Sequence, residues 1–174
     1  MEAYDAGHRH FGESRLQEAE SKILAMPPDV TWHFIGHLQS NKAKKVATLF
    51  DVIHALDSES QLKEIAKAGW NVDGFIEVNI AKEPQKAGIS AESLDEFKTL
   101  VLHYPQVRLS GLMTIGPEHD DPEAARIYFR RLRELGQRLG VFKLSMGMSL
   151  DFAVAIQEGA THVRIGSAIF GSRT

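Results

Sequence analysis

Two segments near the C-terminus combine glycine and serine in a pattern that suits anion binding. They are residues 145–149 (SMGMS) and residues 164–171 (RIGSAIFG), and each begins within or at the end of a predicted strand. Glycine lets the backbone approach an anion, free amides point toward it, and the dipole at the start of a helix favours negative charge. Ser149 and Ser167 add hydroxyl groups beside Gly166. Each segment alone is more typical of an ordinary loop, but together they predict a phosphate site.

Arg164 lies inside the apolar stretch 163–165 (VRI), where a charged side chain is unusual. A buried guanidinium group must find a partner, because removing an unpaired charge from water is costly. One interpretation is a salt bridge with Asp151 or Glu158. The other is contact with a ligand, since Arg164 shares a strand face with Gly166 and precedes the predicted phosphate loop. The residues alone leave both interpretations open.

The histidines favour structural roles over metal binding. His33 and His37 are four residues apart, but they span the end of a predicted strand rather than one face of a helix. His8 and His10 fall on one face of another predicted strand, and His119 lies in a polar loop. None of these spacings is typical of a metal centre, so we expect no metal site.

Composition excludes several classes of protein. The chain has 174 residues, with 20 Lys and Arg against 23 Asp and Glu, a net charge of −3. This balance argues against broad electrostatic binding to nucleic acid or to an anionic membrane. The absence of cysteine rules out disulfides, thiolate metal sites and cysteine nucleophiles, and favours a cytoplasmic location. The sequence shows no secretory signal, membrane-length apolar run, Gly-x-Ser-x-Gly elbow or Walker-type loop, so hydrolase and nucleotide-triphosphatase functions lack support.

Short apolar runs alternate with longer helical patterns along the chain. The runs are rich in Ile, Val, Phe and Leu, are flanked by Gly and Asp, and recur roughly every 20 to 35 residues. This spacing is typical of βα units and predicts a parallel sheet, with the functional site at the carboxyl ends of its strands. The predicted strands cover residues 10–13, 31–35, 52–56, 74–80, 108–115, 142–145 and 162–165.

Capping residues and apolar spacing predict the helices between these strands. Helices are expected over residues 40–49 and 58–69, from residue 90 onward and from residue 122 onward. Ser149 is expected to cap a further helix that ends at Gly159. Residues 3–6 are typical of the last turn of a helix, with Gly7 as its stop.

A sequence that begins at the end of a helix fits an eight-unit barrel without its first strand. We therefore predict an α/β fold, a (β/α)8 TIM barrel lacking the first strand and most of the first helix, with residues 1–174 as one incomplete barrel domain. An open parallel sheet is the alternative. A barrel without one strand exposes two sheet edges, which tend to recruit another chain. The sequence is then either a shortened reading frame or a chain that completes itself by self-association.

Several long motifs resemble those of the pyridoxal phosphate homeostasis proteins. Residues 32–42 (WHFIGHLQSNK), 144–152 (LSMGMSLDF) and 163–171 (VRIGSAIFG) are similar to signatures of that family. Shorter matches occur at residues 77–80 (EVNI) and 111–113 (GLM). The resemblance implies a barrel related to the N-terminal domain of bacterial alanine racemase, with pyridoxal 5′-phosphate (PLP) bound at the strand carboxyl ends. It implies a non-catalytic protein that buffers or delivers PLP and so takes part in vitamin B6 homeostasis.

The resemblance also implies roles for individual residues. Ser149, Gly166 and Ser167 would hold the phosphate, and Arg164 would face the pyridine nitrogen. The other residues that would lie at the cofactor site are Met146, Gly147, Ser14, His33 and Asn79. Ser14 stands where the family has asparagine, and its shorter side chain reaches less far. An arginine beside the pyridine nitrogen discourages protonation there, which makes the ring a poorer electron sink.

One departure from the family concerns the covalent link to PLP. The family's Schiff-base lysine lies on a first strand that this sequence does not include, and Lys42, Lys82, Lys86 and Lys143 do not match its motif. PLP would then be held noncovalently, or phosphate or sulfate would take its place. Its expected partner is the small molecule alone, with neither nucleic acid nor membrane.

Two other functions stay open. A racemase-like PLP enzyme would need a catalytic lysine and a second domain, and the sequence accommodates neither. A phosphate-binding barrel enzyme without PLP would turn over a sugar phosphate or a similar substrate.

Overall fold

The computed structural model describes residues 1–171 as a sheet of seven parallel strands with helices packed against it. The strands lie in the sheet in the same order as in the chain, and each neighbouring pair is parallel. They are β1 (His10–Glu13), β2 (Thr31–Phe34), β3 (Val52–Leu56), β4 (Val72–Glu77), β5 (Val107–Met113), β6 (Lys143–Met148) and β7 (His162–Arg164). The helices are α1 (Glu2–Asp5), α2 (Leu16–Ala25), α3 (Ser40–Leu49), α4 (Glu59–Ala66), α5 (Leu94–Val101), α6 (Arg126–Leu139), α7 (Phe152–Gln157) and α8 (Ser167–Phe170).

The sheet curls into a nearly closed barrel. In a flat sheet β7 would lie about 24 Å from β2, because adjacent strands are spaced about 4.8 Å apart. Yet the rings of His162 on β7 and His33 on β2 have centroids only 5.9 Å apart. The rings of His162 and His54, on β3, are equally close at 5.9 Å. These three side chains therefore share the barrel interior. Within residues 1–171, β1 and β7 each pair with a single strand.

Helix α6 illustrates how the sequence pattern builds the outer layer. Its buried side chains recur three or four residues apart and form one apolar stripe, made of Phe129, Leu132, Leu135 and Leu139. The helix ends at Gly140, whose left-handed backbone (φ 68°) carries no steric penalty in glycine. The stripe packs against β5 and β6, so α6 covers the strands that lead to the C-terminal loops.

The strand predictions are confirmed in number and order. Each of the seven predicted runs forms a strand, and Gly7 follows α1 with φ 97°, as expected of a helix stop. The open-sheet alternative is wrong, because side chains from β2, β3 and β7 meet across the interior. None of the helices within residues 1–171 combines the length and apolar character needed to cross a membrane.

Several boundaries differ from the prediction. β4 ends at Glu77 rather than residue 80, because Val78 leaves the strand and bridges Ile89. β6 continues to Met148, past the expected end at residue 145. Helix α2 was not predicted, since Leu16 and Ala19 are its only buried side chains and its apolar stripe is weak.

Two helix starts were also misplaced. Ser149 does not cap α7, which begins at Phe152 with Asp151 as its N-cap residue. The Ser149 hydroxyl is committed to the C-terminal loop instead, as described below. The helix expected from residue 90 begins at Leu94, because residues 91–93 form a turn.

Candidate functional site

The two C-terminal segments meet at the carboxyl ends of β6 and β7. The Ser149 Oγ atom accepts hydrogen bonds from the backbone N–H groups of Gly166 and Ala168, both at 3.3 Å. Gly166 is the N-cap residue of α8, and a Cβ atom built on it would have no heavy-atom neighbour within 4 Å among residues 1–171. The backbone here is thus open to a ligand, and two amides converge on one oxygen. Ser167 is exposed beside them.

Arg164, at the end of β7, is held by two neutral acceptors. Its Nη1 donates to Ser145 Oγ at 2.8 Å, and its Nη2 donates to the Thr114 carbonyl oxygen at 2.9 Å. The two acceptors belong to β6 and to the residue that follows β5. Because a guanidinium group is planar, hydrogen bonds from two of its nitrogens to fixed acceptors define the plane of the group.

Neither of the predicted salt bridges to Arg164 forms. The Glu158 carboxylate lies instead among arginines of α6, which are Arg126 at 3.0 Å, Arg130 at 3.4 Å and Arg133 at 2.9 Å. Asp151 accepts a hydrogen bond from the backbone N–H of Met148 at 2.7 Å. Within residues 1–171, Arg164 is therefore a cation without a direct carboxylate partner. This arrangement favours the interpretation in which it faces a ligand.

Burial acts on the charge of Arg164 and on that of its acidic neighbour Glu77. Desolvation lowers the pKa of Arg164 to about 10, and the Glu77 and Asp151 carboxylates oppose this shift. Glu77, the buried last residue of β4, has its pKa raised to about 7 by burial and by Asp57, while Arg164 opposes the rise. Near neutral pH the arginine is charged, whereas Glu77 is poised between its two protonation states.

A row of histidines continues from Arg164 through the barrel interior. His54 Nδ1 lies 2.9 Å from Ser145 Oγ, His33 Nδ1 lies 2.9 Å from His54 Nε2, and His10 Nδ1 lies 3.0 Å from His33 Nε2. Burial is the main cause that lowers the pKa of His33 to about 4 and that of His54 to about 2. Both buried imidazoles are therefore neutral at physiological pH.

Aromatic packing holds the central histidine in place. The His54 ring stacks on Phe75 with centroids 4.4 Å apart and an interplanar angle of 5°. The His162 ring meets Phe75 edge-on at 5.1 Å. Burial is also the main cause of the lowered pKa of His162. The interior thus consists of neutral rings beneath one guanidinium group.

Three predicted site residues do not contact Arg164. His33 lies in the interior, separated from Arg164 by His54 and Ser145. Asn79 organises its own loop, where its side-chain amide donates to the Glu83 carbonyl at 2.8 Å. Its Oδ1 accepts from the Glu83 N–H at 3.1 Å. Met146 is completely buried in the hydrophobic core.

Two further predicted residues shape the strand ends through their backbones. Gly147 has φ 90°, and a Cβ there would lie 2.5 Å from the Cβ of Ala155 in α7, so only glycine fits. Ser14 follows β1, and its carbonyl oxygen would lie 2.1 Å from a Cβ on Gly36. The backbone segments that follow β1 and β2 therefore approach closely at Gly36, where there is no space for a side chain.

Two lysines in the loop after β4 are engaged with neighbours. Lys86 Nζ lies 2.8 Å from a Glu83 carboxylate oxygen and donates to the Gly116 carbonyl at 3.1 Å. Lys82 Nζ lies 2.6 Å from a carboxylate oxygen of Glu92. Among residues 1–171, no group of three or more His, Asp or Glu side chains is arranged to hold a metal ion.

Sequence reasoning missed His54 and Glu77. His54 interrupts the apolar strand 52–56 (VIHAL), and Glu77 directly follows the apolar pair Phe75 and Ile76 at the end of strand 72–77 (VDGFIE). An isolated polar residue in a buried strand must point at a polar partner, and that signal was available in the sequence.

The chain is similar to a known protein family and to two of its members. A family model described as the N-terminal domain of alanine racemase matches residues 1–174. The pyridoxal phosphate homeostasis protein of Aquifex aeolicus is 45% identical and aligns with 99% of this chain and 80% of its own length. The protein of the same name from Schizosaccharomyces pombe is 41% identical, with 99% of this chain and 78% of that protein covered.

The fold is also similar to those of several solved protein structures. PipY of Synechococcus elongatus without PLP has a TM-score of 0.89 and 38% identity, covering 98% of this chain and 85% of that one. The structure of PipY with PLP bound has a TM-score of 0.84 and 36% identity at the same coverage. Alanine racemase of Clostridium difficile shares the fold, with a TM-score of 0.78 at 11% identity over 98% of this chain and 47% of that one.

Proposed function

This chain belongs to the family of pyridoxal phosphate homeostasis proteins, and on that basis we propose that it binds PLP at the carboxyl ends of β6 and β7. We propose further that it acts in the cytoplasm as a carrier or buffer of PLP, without a catalytic reaction of its own. PipY, a structural relative, has been solved with PLP bound. The names of the relatives describe homeostasis rather than a reaction, which supports a non-catalytic role.

The observation that carries the proposal is the convergence of the Gly166 and Ala168 amides on Ser149 Oγ. A phosphate oxygen needs donors of this kind, and it would replace Ser149 Oγ as their acceptor once that side chain turns aside. The open space at Gly166 leaves room for the group. Ser149 and Ser167 would add hydroxyl donors. This set of donors fits the phosphate of PLP.

Arg164 would face the pyridine nitrogen. It is a cation with no direct carboxylate partner among residues 1–171, and Ser145 and Thr114 use only part of its five-donor fork. Beside such a guanidinium group, bound PLP would supply only weak electron withdrawal, since its ring nitrogen would stay unprotonated. This environment favours carriage over carbanion chemistry.

The lysines favour noncovalent binding of PLP. Lys82 and Lys86 are paired with Glu92 and Glu83, and neither they nor Lys42 and Lys143 match the motif of the family's Schiff-base lysine. Free phosphate or sulfate would compete for the same amides. Treatment with PLP and borohydride, followed by intact-mass analysis, is expected to leave the chain unmodified, with PLP removed by dialysis. A stoichiometric adduct on one lysine would contradict noncovalent binding while supporting PLP binding.

Gly166→Ala tests the site directly. Its φ of −118° is open to alanine, and its Cβ would meet no neighbour within 4 Å in the described part of the chain, so the fold should be unaffected. The added methyl group would occupy the space proposed for the phosphate, and PLP affinity should fall about tenfold or more, which corresponds to roughly 1.4 kcal/mol.

Gly116→Ala is the matched control, because a Cβ there also has no neighbour within 4 Å among the residues that the structure describes. Affinity is read from the fluorescence of bound PLP and folding from circular dichroism. Equal PLP affinity in wild type and both variants would refute this placement of the phosphate. An absence of PLP binding in the wild type would refute the proposed function itself.

We also propose that the edges of β1 and β7 mediate self-association. Within residues 1–171 each of these strands has one unpaired edge, and such edges pair readily with other strands. Sedimentation velocity at rising concentration should show dimers or larger species. A well-folded monomer at all concentrations would refute this.

A further inference from the structure

An unbroken line of hydrogen bonds crosses the barrel from the exposed side chain of His10 to Arg164. It runs through His33, His54 and Ser145, and its four contacts measure 3.0, 2.9, 2.9 and 2.8 Å. The residues come from β1, β2, β3, β6 and β7. The residues proposed to hold the phosphate do not depend on this row of hydrogen bonds.

The direction of the hydrogen bonds follows from Ser145. Arg164 is only a donor, so Ser145 Oγ must accept from it. If His54 Nδ1 also donated to Ser145, the serine hydroxyl proton would have no partner within residues 1–171, although Ser145 is completely buried. Leaving a buried donor unpaired is costly. Ser145 therefore donates to His54 Nδ1.

The remaining bonds are then determined one after another. A neutral imidazole has one N–H and one acceptor nitrogen. Because His54 accepts at Nδ1, its Nε2–H donates to His33 Nδ1. His33 in turn donates from Nε2 to Nδ1 of His10. His33 and His54 are thus both expected in the Nε2–H form.

We propose that this line is a one-way hydrogen-bond relay, from Arg164 through Ser145, His54 and His33 to His10, and that Ser145 and His54 are positioning residues for Arg164. The role of Arg164 toward a ligand rests on the proposed function, whereas the direction of the relay does not. With its proton committed to His54, Ser145 presents a lone pair to Nη1 of Arg164. Together with the Thr114 carbonyl, it then holds the guanidinium plane in one orientation.

The surroundings of His54 are suited to keeping the relay in one direction. The His54 ring is stacked on Phe75 at 4.4 Å, so it cannot flip without breaking that contact. A flipped ring would place carbon atoms where Nδ1 and Nε2 now lie, and the hydrogen bonds to Ser145 and His33 would both be lost. His33 is buried on the other side of His54 and leaves no room for water between the two rings, whose nitrogens are 2.9 Å apart.

The tautomers can be measured without any ligand. Long-range ¹H–¹⁵N correlation spectra of the ¹⁵N-labelled protein at pH 7.5 distinguish Nε2–H from Nδ1–H imidazoles. His33 and His54 should both be Nε2–H, with Nδ1 unprotonated. Single His→Gln variants assign the signals. A dominant Nδ1–H form of His54 would overturn the relay whether or not the protein binds PLP.

The positioning role is tested by two substitutions at His54. In His54→Asn the Oδ1 atom can still accept from Ser145, whereas His54→Leu removes the acceptor. We expect PLP affinity to stay within about twofold of wild type in His54→Asn and to fall about fivefold or more in His54→Leu, the equivalent of one hydrogen bond. The absorption maximum of bound PLP should shift in the leucine variant alone.

His103→Leu serves as the control, since His103 is exposed and outside the relay. Equal affinity and spectra in the leucine and asparagine variants would refute the positioning role. If the leucine variant does not fold, the tautomers of the wild-type protein still decide the proposal.

Discussion

Ser145 and His54 are 91 residues apart in the chain, yet Ser145 Oγ lies 2.9 Å from His54 Nδ1. The two residues sit on β6 and β3, which are not neighbours in the sheet. Their contact exists because the sheet curls and both side chains point into the barrel. It joins the histidine row to Arg164 and so links the interior of the barrel to its carboxyl end.

The buried carboxyl group of Glu77 should make stability depend on pH. Its pKa is raised to about 7 in the folded protein from an ordinary value of 4.5, so the folded state binds the proton more tightly. The stability that this tighter proton binding contributes is fully present below pH 4.5 and is lost as the pH rises through 7. Glu77→Gln should therefore raise the free energy of unfolding at pH 8 by at most about 3 kcal/mol and change it little at pH 4.

Urea unfolding at the two pH values measures this effect. Glu118→Gln is the matched control, because Glu118 is exposed. A gain of equal size at pH 4 and pH 8 would show that the effect comes from packing rather than ionisation.

The neutral histidines His33 and His54 should make the protein less stable as the pH falls, which is opposite to the effect of Glu77. The pKa values of His33 and His54 are lowered to about 4 and about 2, so below pH 6.5 the unfolded chain takes up protons that the folded protein does not. Their stabilising contribution is present above pH 6.5 and is lost as the pH falls. Each should remove about 1.4 kcal/mol per pH unit between pH 6.5 and 4.5.

His33→Gln should remove its own share of this slope, about 1.4 kcal/mol per pH unit. Chemical denaturation at intervals of half a pH unit provides the comparison, with the exposed His103→Gln as control. An unchanged slope in His33→Gln would mean that His33 is protonated in the folded protein.

The contact between the ends of β1 and β2 should not tolerate a side chain. A Cβ on Gly36 would lie 2.1 Å from the Ser14 carbonyl oxygen, so the two strand ends would have to separate. Gly36→Ala is expected to cost about 3 kcal/mol of stability. Gly116→Ala, whose Cβ would meet nothing within 4 Å, should be close to neutral. Similar melting temperatures for the two variants would contradict the close approach.

The geometry of Arg164 should matter more than its charge. Arg164→Lys keeps the positive charge but lacks the planar fork that reaches both Ser145 and Thr114. PLP affinity should fall about tenfold, the loss of roughly 1.4 kcal/mol, while Arg131→Lys on the exposed face of α6 should have no effect. Equal affinities in the two variants would show that only the charge of Arg164 is used. Isothermal titration with PLP gives the comparison.

The sequence by itself determined the number and order of the strands and the placing of the two C-terminal loops. Apolar runs at βα spacing are a local signal, and parallel βα units assemble in few ways, so seven strands and a barrel could be predicted. The approach of the two C-terminal loops followed from the same reasoning, because the loops after neighbouring parallel strands lie side by side. The hydrogen bond between Gly166 and Ser149 did not, since Ser149 was expected to cap a helix. The boundaries of β4, β6 and α7 were missed, since loop contacts such as the Val78–Ile89 bridge compete with the local pattern.

Only the tertiary structure decided which polar side chains meet inside the barrel. His54, Ser145 and Arg164 are brought together by the closure of the sheet, and no periodicity in the sequence specifies which interior positions lie opposite one another. The same closure excluded Asp151 and Glu158 as direct partners of Arg164, because Glu158 faces the arginines of α6 on the outer layer. Burial then set the pKa values of Glu77, His33 and His54, since desolvation depends on the complete surroundings of a group.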